Sequence, residues 1–180
     1  RFVDCQSAST SVCLTTGLSD VIDDCPKGRY CEAGSSEGTV CPKGTFNNEY
    51  NRESLSECKD CWPGYACAKA GLLEPTGKCE PGYFCSEAAD TIAPVEAALY
   101  AGETWEKQGP CPKGHYCPQG TAYAIPCTAG QYQPLSRQTR DAACLTCPEG
   151  KYCATEGIGS AADALPDCDA GFYCPAGSKM

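Results

Sequence analysis

Cysteine is the residue type in this chain whose number and spacing point most directly to chemistry. The chain has 180 residues and 18 of them are Cys, and Cys58/Cys61 and Cys144/Cys147 have the spacing Cys-x-x-Cys. Thiolates at this spacing bind zinc or, in a βαβ context, carry out redox catalysis. A closed zinc site needs a second such pair nearby, and neither that pair nor the βαβ pattern is present. We therefore expect disulfides, with no metal ion and no cofactor.

Other residues capable of chemistry are few. The single His, His115, occupies a repeat position that holds a different residue type in another copy, Phe172, so we expect an exposed side chain without a functional role. Asp20, Asp23 and Asp24 lack the regular ligand spacing and central Gly of a calcium loop, which favours a solvated acidic loop. Since no nucleophile, base and orienting residue stand together, we expect no enzymatic activity.

Composition and charge narrow the class of protein and its partners. Cysteine at one residue in ten is typical of a disulfide scaffold and of an oxidising, extracellular location. The net charge of -9 disfavours nucleic acid as a partner. The most apolar segment, 92–101, is too short and too interrupted to insert into a membrane. Because residues 1–5 lack the pattern of a secretion signal, we expect a mature or trimmed piece of an extracellular or cell-surface protein.

A seven-residue motif recurs along the chain: Cys, two residues, Gly, two residues of which one is aromatic, then Cys. It occurs as CPKGRYC, CWPGYAC, CEPGYFC, CPKGHYC, CPEGKYC and CDAGFYC, beginning at Cys25, Cys61, Cys79, Cys111, Cys147 and Cys168. Two further copies, CPKGTF from Cys41 and CTAGQY from Cys127, lack the second Cys. Pro fixes φ, Gly permits a positive φ, and the aromatic ring packs on sulfur, so each motif predicts a tight corner.

The motifs are arranged as a tandem duplication. Six cysteines of the first half reappear at a constant offset of 86 residues, and the last two at 89. We predict an N-terminal segment 1–24, a first cysteine-rich block 25–85, a cysteine-free connector 86–110, a second block 111–174 and a tail 175–180, each block comprising two four-cysteine units. The predicted fold is a small disulfide-rich, mostly irregular chain with short β-strands, elongated into a rod of stacked repeats.

The doubled spacing of CPKGTF, Cys58, Cys61 and CTAGQY, Cys144, Cys147 resembles the cysteine-rich modules of the ephrin-receptor-like and tumour-necrosis-factor-receptor-like families. Proteins with many CPxGxYC repeats, similar to this one, occur on the surfaces of protists and algae. Tyr65 lies one place early in CWPGYAC, and the Cys spacing is wider than those receptors use, so no ligand-binding residue is carried over.

The resemblance also implies a disulfide pairing. It would join Cys41–Cys58, Cys127–Cys144, Cys61–Cys79, Cys67–Cys85, Cys147–Cys168 and Cys153–Cys174, which leaves Cys25–Cys31 and Cys111–Cys117. A rival scheme pairs first with third and second with fourth cysteine in every unit, so that Cys25 meets Cys41 and Cys31 meets Cys58. Both schemes share the four bridges of the second and fourth units, and both add Cys5–Cys13.

The connector holds the largest apolar side chains outside the cysteine framework. Pro94, the run from Ala97 to Tyr100, and Gly102 predict a helix of two turns. The apolar cluster either packs within the rod or forms an exposed interface. Its members are Ile92, Val95, Leu99, Tyr100 and Trp105.

These observations predict function more weakly than fold. Repeat regularity without a catalytic constellation favours a structural extracellular protein, a subunit of a cell-surface fibre or coat that associates with itself as a homo-oligomer or filament. The alternative is a receptor-type ectodomain that binds another extracellular protein. The hydroxyl-rich segment Ser7 to Thr16 suits O-linked glycan.

Overall fold

A computed structural model gives the fold, and it describes residues 24–33, 35, 37–95, 98–99 and 106–179. Within them the chain is mostly irregular and its strands are short, as the motif pattern predicts. Thirteen strands are present: β1 (Arg29–Tyr30), β2 (Thr39–Val40), β3 (Thr45–Phe46), β4 (Lys59–Asp60), β5 (Tyr65–Ala66), β6 (Gly77–Lys78), β7 (Tyr83–Cys85), β8 (Ala98–Leu99), β9 (Glu106–Pro110), β10 (His115–Tyr116), β11 (Ile125–Pro126), β12 (Gln131–Tyr132) and β13 (Leu145–Thr146). The helical content of this part of the chain is three 3-10 turns, Leu55–Glu57, Asp141–Ala143 and Ala162–Ala164.

Each motif forms a corner, whose seven residues are numbered here as positions 1 to 7. Corners 1 to 8 begin at Cys25, Cys41, Cys61, Cys79, Cys111, Cys127, Cys147 and Cys168. The Gly at position 4 has a positive φ in every corner, from 77° at Gly150 to 92° at Gly171. An L side chain resists this conformation, which explains the Gly.

Positions 5 and 6 of a corner pair with residues that lead into the next one. The antiparallel pairs are β1–β2, β3–β4, β5–β6, β10–β11 and β12–β13, and β7, β9 and β8 form a three-stranded sheet in that order. Corner 7 has the antiparallel bridge Lys151–Asp167 in the same place.

Eight disulfides join the described cysteines, and none of these cysteines is free. The bridges Cys25–Cys31, Cys41–Cys58, Cys111–Cys117 and Cys127–Cys144 agree with the pairing that the resemblance implies. The four bridges expected between successive corners, Cys61–Cys79, Cys67–Cys85, Cys147–Cys168 and Cys153–Cys174, are wrong. The structure instead has Cys61–Cys67, Cys79–Cys85, Cys147–Cys153 and Cys168–Cys174. Cys5 and Cys13 lie outside the described residues.

The reason for these local bridges is the turn at position 4. It brings the Cα atoms of positions 1 and 7 to between 5.8 and 6.1 Å, the separation that a disulfide requires. Each six-residue bridge lowers the entropy of the unfolded chain by the equivalent of about 2 kcal/mol, and each 17-residue bridge by about 3 kcal/mol.

A regular backbone ladder connects the corners. The N–H of position 1 donates to the carbonyl of the preceding corner's Gly, and the N–H of that Gly donates to the carbonyl of position 7 of the following corner. Across the junction of corners 2 and 3, these bonds are Cys61 to Gly44, 2.8 Å, and Gly44 to Cys67, 2.9 Å. Both bonds occur at all seven junctions. One junction spans the connector, where Cys111 donates to Gly82.

A second pair of backbone bonds completes every junction. A residue nine or ten places after position 1 has a positive φ and donates its N–H to the carbonyl of position 1 of the preceding corner. The carbonyl of the next residue accepts the N–H of that corner's position 7. The residues with positive φ at the seven junctions are Asn51, Gly71, Ala88, Gly120, Arg137, Gly157 and Gly177. Four backbone bonds therefore hold each corner to its neighbour, the nearest-neighbour order of a repeat stack.

The described residues of the connector, 86–95, 98–99 and 106–110, contain no helix, whereas the composition predicts one. Ala98–Leu99 is strand β8 and pairs with β9, and β9 pairs with β7 of corner 4. The buried Gln108 fixes β9 in place, because its Oε1 accepts the backbone N–H of Asp90 and its Nε2 donates to the Asp90 carboxylate. The pairing of Ala98–Leu99 with β9, which the Gln108 hydrogen bonds hold in place, outweighs a weak local preference for helix.

The core is divided into small clusters around the disulfides. One cluster contains Phe46, Cys61 and Cys67, and another contains Tyr132, Cys147, Cys153 and Leu165. Sulfur takes the place that aliphatic side chains fill in larger domains. The disulfide-rich, largely irregular repeat fold that the sequence predicts is confirmed.

Candidate functional site

The described part of the ladder begins with a capped corner. In corners 2 to 8 the N–H of position 1 donates to the preceding Gly, whereas in corner 1 the N–H of Cys25 donates to Asn51 Oδ1 at 2.9 Å. Asn51 Nδ2 donates to Asp24 Oδ1, and the Asn51 N–H donates to the Cys25 carbonyl. The Asn51 carboxamide thus accepts the N–H of position 1, which a preceding Gly accepts in the other corners. Asn tolerates the positive φ of 59° better than most residues do.

The last corner presents unpaired groups. The N–H and the carbonyl of Gly171, the carbonyl of Cys168 and the N–H of Cys174 make no hydrogen bond within the described residues, although their counterparts in corners 1 to 7 are all bonded. Phe172 and Tyr173, at positions 5 and 6, have no strand partner there.

The aromatic side chains of the last corner differ from those of earlier corners in burial. At position 6, Phe46 is 1% exposed, Phe84 is 6% and Tyr132 is 9%, because following elements pack over them. Tyr173 at the same position is 80% exposed, and Phe172 beside it is 77%. Corner 8 is therefore the described corner with the largest uncovered aromatic face. We call the surface formed by Gly171, Phe172 and Tyr173 the terminal edge.

Two buried carboxamides replace the cysteine that corners 2 and 6 lack. Asn47 and Gln133 occupy position 7, and both are buried. Asn47 Nδ2 donates to the Arg29 carbonyl at 2.8 Å, and Gln133 Nε2 donates to the Ala143 carbonyl. Each side-chain oxygen accepts the backbone N–H two residues further on. Sequence reasoning missed these residues, although their shared place in the two copies without a second Cys was a usable signal.

The cysteines of the two Cys-x-x-Cys pairs have separate partners. Cys58 is bonded to Cys41 and Cys61 to Cys67, and the second pair repeats this arrangement. These sulfurs carry no thiolate and hold neither a zinc ion nor a redox-active bridge between them. In the described part of the chain, no group of three or more His, Cys, Asp or Glu residues is placed to hold a metal ion.

The other residues that the sequence analysis considered for chemistry are His115 and the acidic group at Asp20, Asp23 and Asp24. His115 is half-buried rather than exposed, lies in β10, and its Nδ1 is 2.9 Å from the Lys113 carbonyl oxygen. Asp24 belongs to the cap at Asn51. Asp20 and Asp23 lie outside the described residues.

Of the predicted interface cluster, the structure describes the side chains of Ile92 and Val95. Ile92 is half-buried and packs against the cluster of Ala66, Cys79, Cys85 and Ala89. Val95 is 70% exposed. Leu99 lies in β8, and Tyr100 and Trp105 lie outside the described residues. The interface therefore stays a prediction.

Other exposed apolar side chains are spread along several corners. They include Val40, Tyr50, Leu55, Trp62, Leu73, Tyr123, Ile125, Leu135 and Leu145. Trp62 makes edge-to-face contacts with Phe46 and Tyr65, at centroid distances of 5.4 and 6.0 Å. Corner 3 has Ala66 at position 6, where the other corners have an aromatic residue.

A shallow cleft of about 360 Å³ lies between corners 5 and 6. Tyr116, Thr128, Gln131 and Asp141 are its polar lining residues. Its lining contains neither a histidine nor a free thiol, and its polar side chains offer hydrogen bonds. No helix in the described part of the chain is long and apolar enough to span a membrane.

One acidic side chain in the loop between Cys41 and Cys58, that of Glu57, has a lowered pKa. The backbone N–H of Glu53 and the Arg52 guanidinium donate to the Glu57 carboxylate, with a further bond from the Ser54 N–H. These donors stabilise the charged form and hold the pKa of Glu57 below its ordinary value of 4.5. The carboxylate organises the 3-10 turn at Leu55–Glu57 through a capping box.

The comparisons with known proteins do not extend these findings to a family. No protein-family model matches the chain, and no curated protein matches it. The fold itself defines the class: a cysteine-rich repeat protein. Eight disulfides at this density are characteristic of extracellular proteins, whether secreted or on a surface.

Proposed function

We propose that this protein is a structural subunit of an extracellular fibre or coat at the cell surface, and that it acts by associating with itself. The observation that carries the proposal is the repetition of one four-bond junction seven times over. A stack of this kind is stiffened by backbone bonds and disulfides rather than by a large core. Such a scaffold suits a load-bearing or spacing role, and no catalytic step is assigned to it.

The surface chemistry supports association between copies. Apolar side chains such as Leu55, Leu73, Tyr123 and Leu135 are each about half exposed or more. They are distributed along the stack, so neighbouring copies have repeated opportunities for side contacts. The net charge of -9 opposes such contacts at low ionic strength. At about 0.15 M salt, charges more than about 8 Å apart are largely screened.

The second candidate is a receptor-type ectodomain that binds a protein ligand, the function implied by the resemblance to ephrin-receptor-like and tumour-necrosis-factor-receptor-like modules. Trp62 favours it, since this side chain is 54% exposed and is held in place by Phe46 and Tyr65. A rigid exposed Trp is a typical anchor at protein interfaces.

Negative-stain electron microscopy of the unreduced protein over a concentration series tests the proposal. We expect regular filaments or sheets above a threshold concentration, and their loss in protein that has been reduced and alkylated. Isolated short particles at every concentration and at physiological salt would contradict the structural function. That result would favour the receptor-type alternative.

A further inference from the structure

We propose that the disulfide Cys127–Cys144 is a site of thiol–disulfide exchange, at which a small thiol enters the cleft between corners 5 and 6 and attacks Cys144. The exchange opens the 17-residue loop of the second block while the folded stack stays in place. This inference goes beyond the proposed structural function and does not depend on it.

The cleft gives this disulfide a route to the solvent. Both Cys127 and Cys144 line it. Its volume of about 360 Å³ lies within the range of about 300–1,000 Å³ that small-molecule sites have. Cys144 is half-buried, whereas Cys127 is 1% exposed. Because exchange requires a thiolate to reach a disulfide sulfur, Cys144 is the residue that an incoming thiol attacks.

The other bridges of corners 1 to 7 are less accessible. Every cysteine in them is buried, and the largest exposed fraction is 8%, at Cys58. Cys168 of corner 8 is half-buried as well, but no corner follows it within the described residues, so its exposure does not distinguish it. Cys144 is therefore the cysteine that stays accessible although two further corners follow it.

The matched bridge in the first block is Cys41–Cys58, which closes a loop of the same length. Ion pairs tie that loop on both sides of Cys58, from Arg52 to Glu57 at 3.0 Å and from Lys59 to Glu49. The side chains at these four places in the second block are uncharged: Gln138, Ala143, Leu145 and Leu135. The loop of the second block therefore lacks the ion pairs that hold its counterpart over the buried sulfur.

The exchange step uses the electrons of the incoming thiol. Its thiolate sulfur forms a bond to Cys144 Sγ, the bond between Cys127 and Cys144 breaks, and the electron pair leaves on Cys127 as a thiolate. The proton that the thiol loses balances the one that Cys127 takes up. The product is a mixed disulfide on Cys144. Corner 6 keeps its place, because the Cys127 N–H still donates to the Gly114 carbonyl and Gln133 still holds position 7.

Asp141 determines which charge on the thiol the cleft favours. Among the described residues that line the cleft, it is the charged one, and its side chain is exposed. Its carboxylate attracts an ammonium group and repels a second anion. We therefore expect exchange to favour an aminothiol, cysteamine, over an anionic thiol, mercaptoethanesulfonate, by about two- to fivefold at low salt. Asp141→Asn keeps an oxygen for the Ala142 N–H and should remove this preference.

Timed partial reduction of the folded protein with cysteamine, followed by alkylation and peptide mass spectrometry, measures each bridge separately. Cys127–Cys144 should open at least about tenfold faster than Cys41–Cys58, because access controls the rate of exchange. Ala142→Tyr adds a ring at the lining of the cleft and should slow this opening about fivefold or more. The matched control is Ser56→Tyr, at the same exposed place in the first block, which should leave the opening of Cys127–Cys144 unchanged.

The same experiment gives the outcomes that would overturn the inference. Exchange through global unfolding exposes both loops alike, so equal rates at the two matched bridges would refute a site in the folded protein, as would a faster rate at Cys41–Cys58. An unchanged rate in Ala142→Tyr, or a mixed disulfide on Cys127 instead of Cys144, would refute attack through the cleft. A preference between the two thiols that Asp141→Asn leaves intact would refute the role of Asp141. Circular dichroism of each variant verifies that the fold is intact.

Discussion

Replacing Gly44 by Ala tests whether the corners contact neighbours two places along the stack. Gly44 has a φ of 85°, and a Cβ added to it would lie 2.6 Å from the carbonyl oxygen of Ala88, in the segment that directly follows corner 4. The left-handed conformation costs an Ala about 1–2 kcal/mol. The backbone oxygen moves only if the junction shifts, and overpacking of this kind adds about 1–3 kcal/mol. Gly44→Ala should therefore lower the free energy of unfolding by about 2–5 kcal/mol.

Gly150→Ala is the matched control. Gly150 holds the same place in corner 7, has a φ of 77°, and makes the same two ladder bonds, but an added Cβ meets nothing within 4 Å. Its cost should be the conformational term alone, about 1–2 kcal/mol.

Guanidinium unfolding with the disulfides intact gives both free energies. Because the conformational term is common to both variants, the difference between them isolates the contact with corner 4. Equal losses of stability in the two variants would refute the stacking of each corner on the next two. A larger loss at Gly150 would do the same.

Three further outcomes follow from the structure. Asn47→Ala removes a buried side chain together with its bonds to the Arg29 carbonyl and the Glu49 N–H, and should cost about 1–3 kcal/mol in guanidinium unfolding. Asn48→Ala beside it, on the surface, should change stability by less than about 0.5 kcal/mol; equal effects would argue against the buried carboxamide. Excess reductant should abolish the cooperative thermal transition, because the small clusters cannot offset the chain entropy alone, and a transition that persists would refute the disulfide scaffold. Folding lowers the pKa of Glu57, so the stability that its charged carboxylate contributes to the fold is fully present well above pH 4.5 and is lost as the pH falls through the folded-state pKa. Glu57→Gln should therefore make the loss of stability at acid pH less steep. An unchanged dependence of stability on pH would contradict this role of Glu57.

The sequence predicts the corners well because they are local. A Gly between two cysteines six residues apart fixes the turn within the motif itself, so corner, strand pair and disulfide-rich class all follow from short segments. The pairing of Cys61 with Cys79, which the resemblance and the rival scheme share, is wrong because both overlook the turn inside each motif. In this chain the turn at Gly64 brings Cys61 to Cys67 first.

The parts that the sequence did not predict depend on contacts between corners. Asn51 and Arg137 have a positive φ because their N–H groups donate to the preceding corner. Neither residue type alone predicts a positive φ. Ala98–Leu99 is extended because β9 offers a strand edge, which Gln108 secures by its bonds to Asp90. The exposure of Tyr173 at the terminal edge could not be predicted from the motif, because corners 2 and 8 both have an aromatic residue at position 6. The difference appears only when the burial of Tyr173 is compared with that of Phe46.

The two corners without a second cysteine show which features of the fold depend on the disulfides and which depend on the backbone ladder. Corners 2 and 6 make the same four backbone bonds as the others, although Asn47 and Gln133 stand where the local bridge would end. The ladder geometry therefore does not require a disulfide within each corner; it requires a residue at position 7 whose backbone is held in place. A buried carboxamide does so by bonding to fixed backbone groups, and its cysteine partner is released to close the 17-residue loop instead. Those two loops, 86 residues apart in the chain, each contain a 3-10 turn, Leu55–Glu57 and Asp141–Ala143.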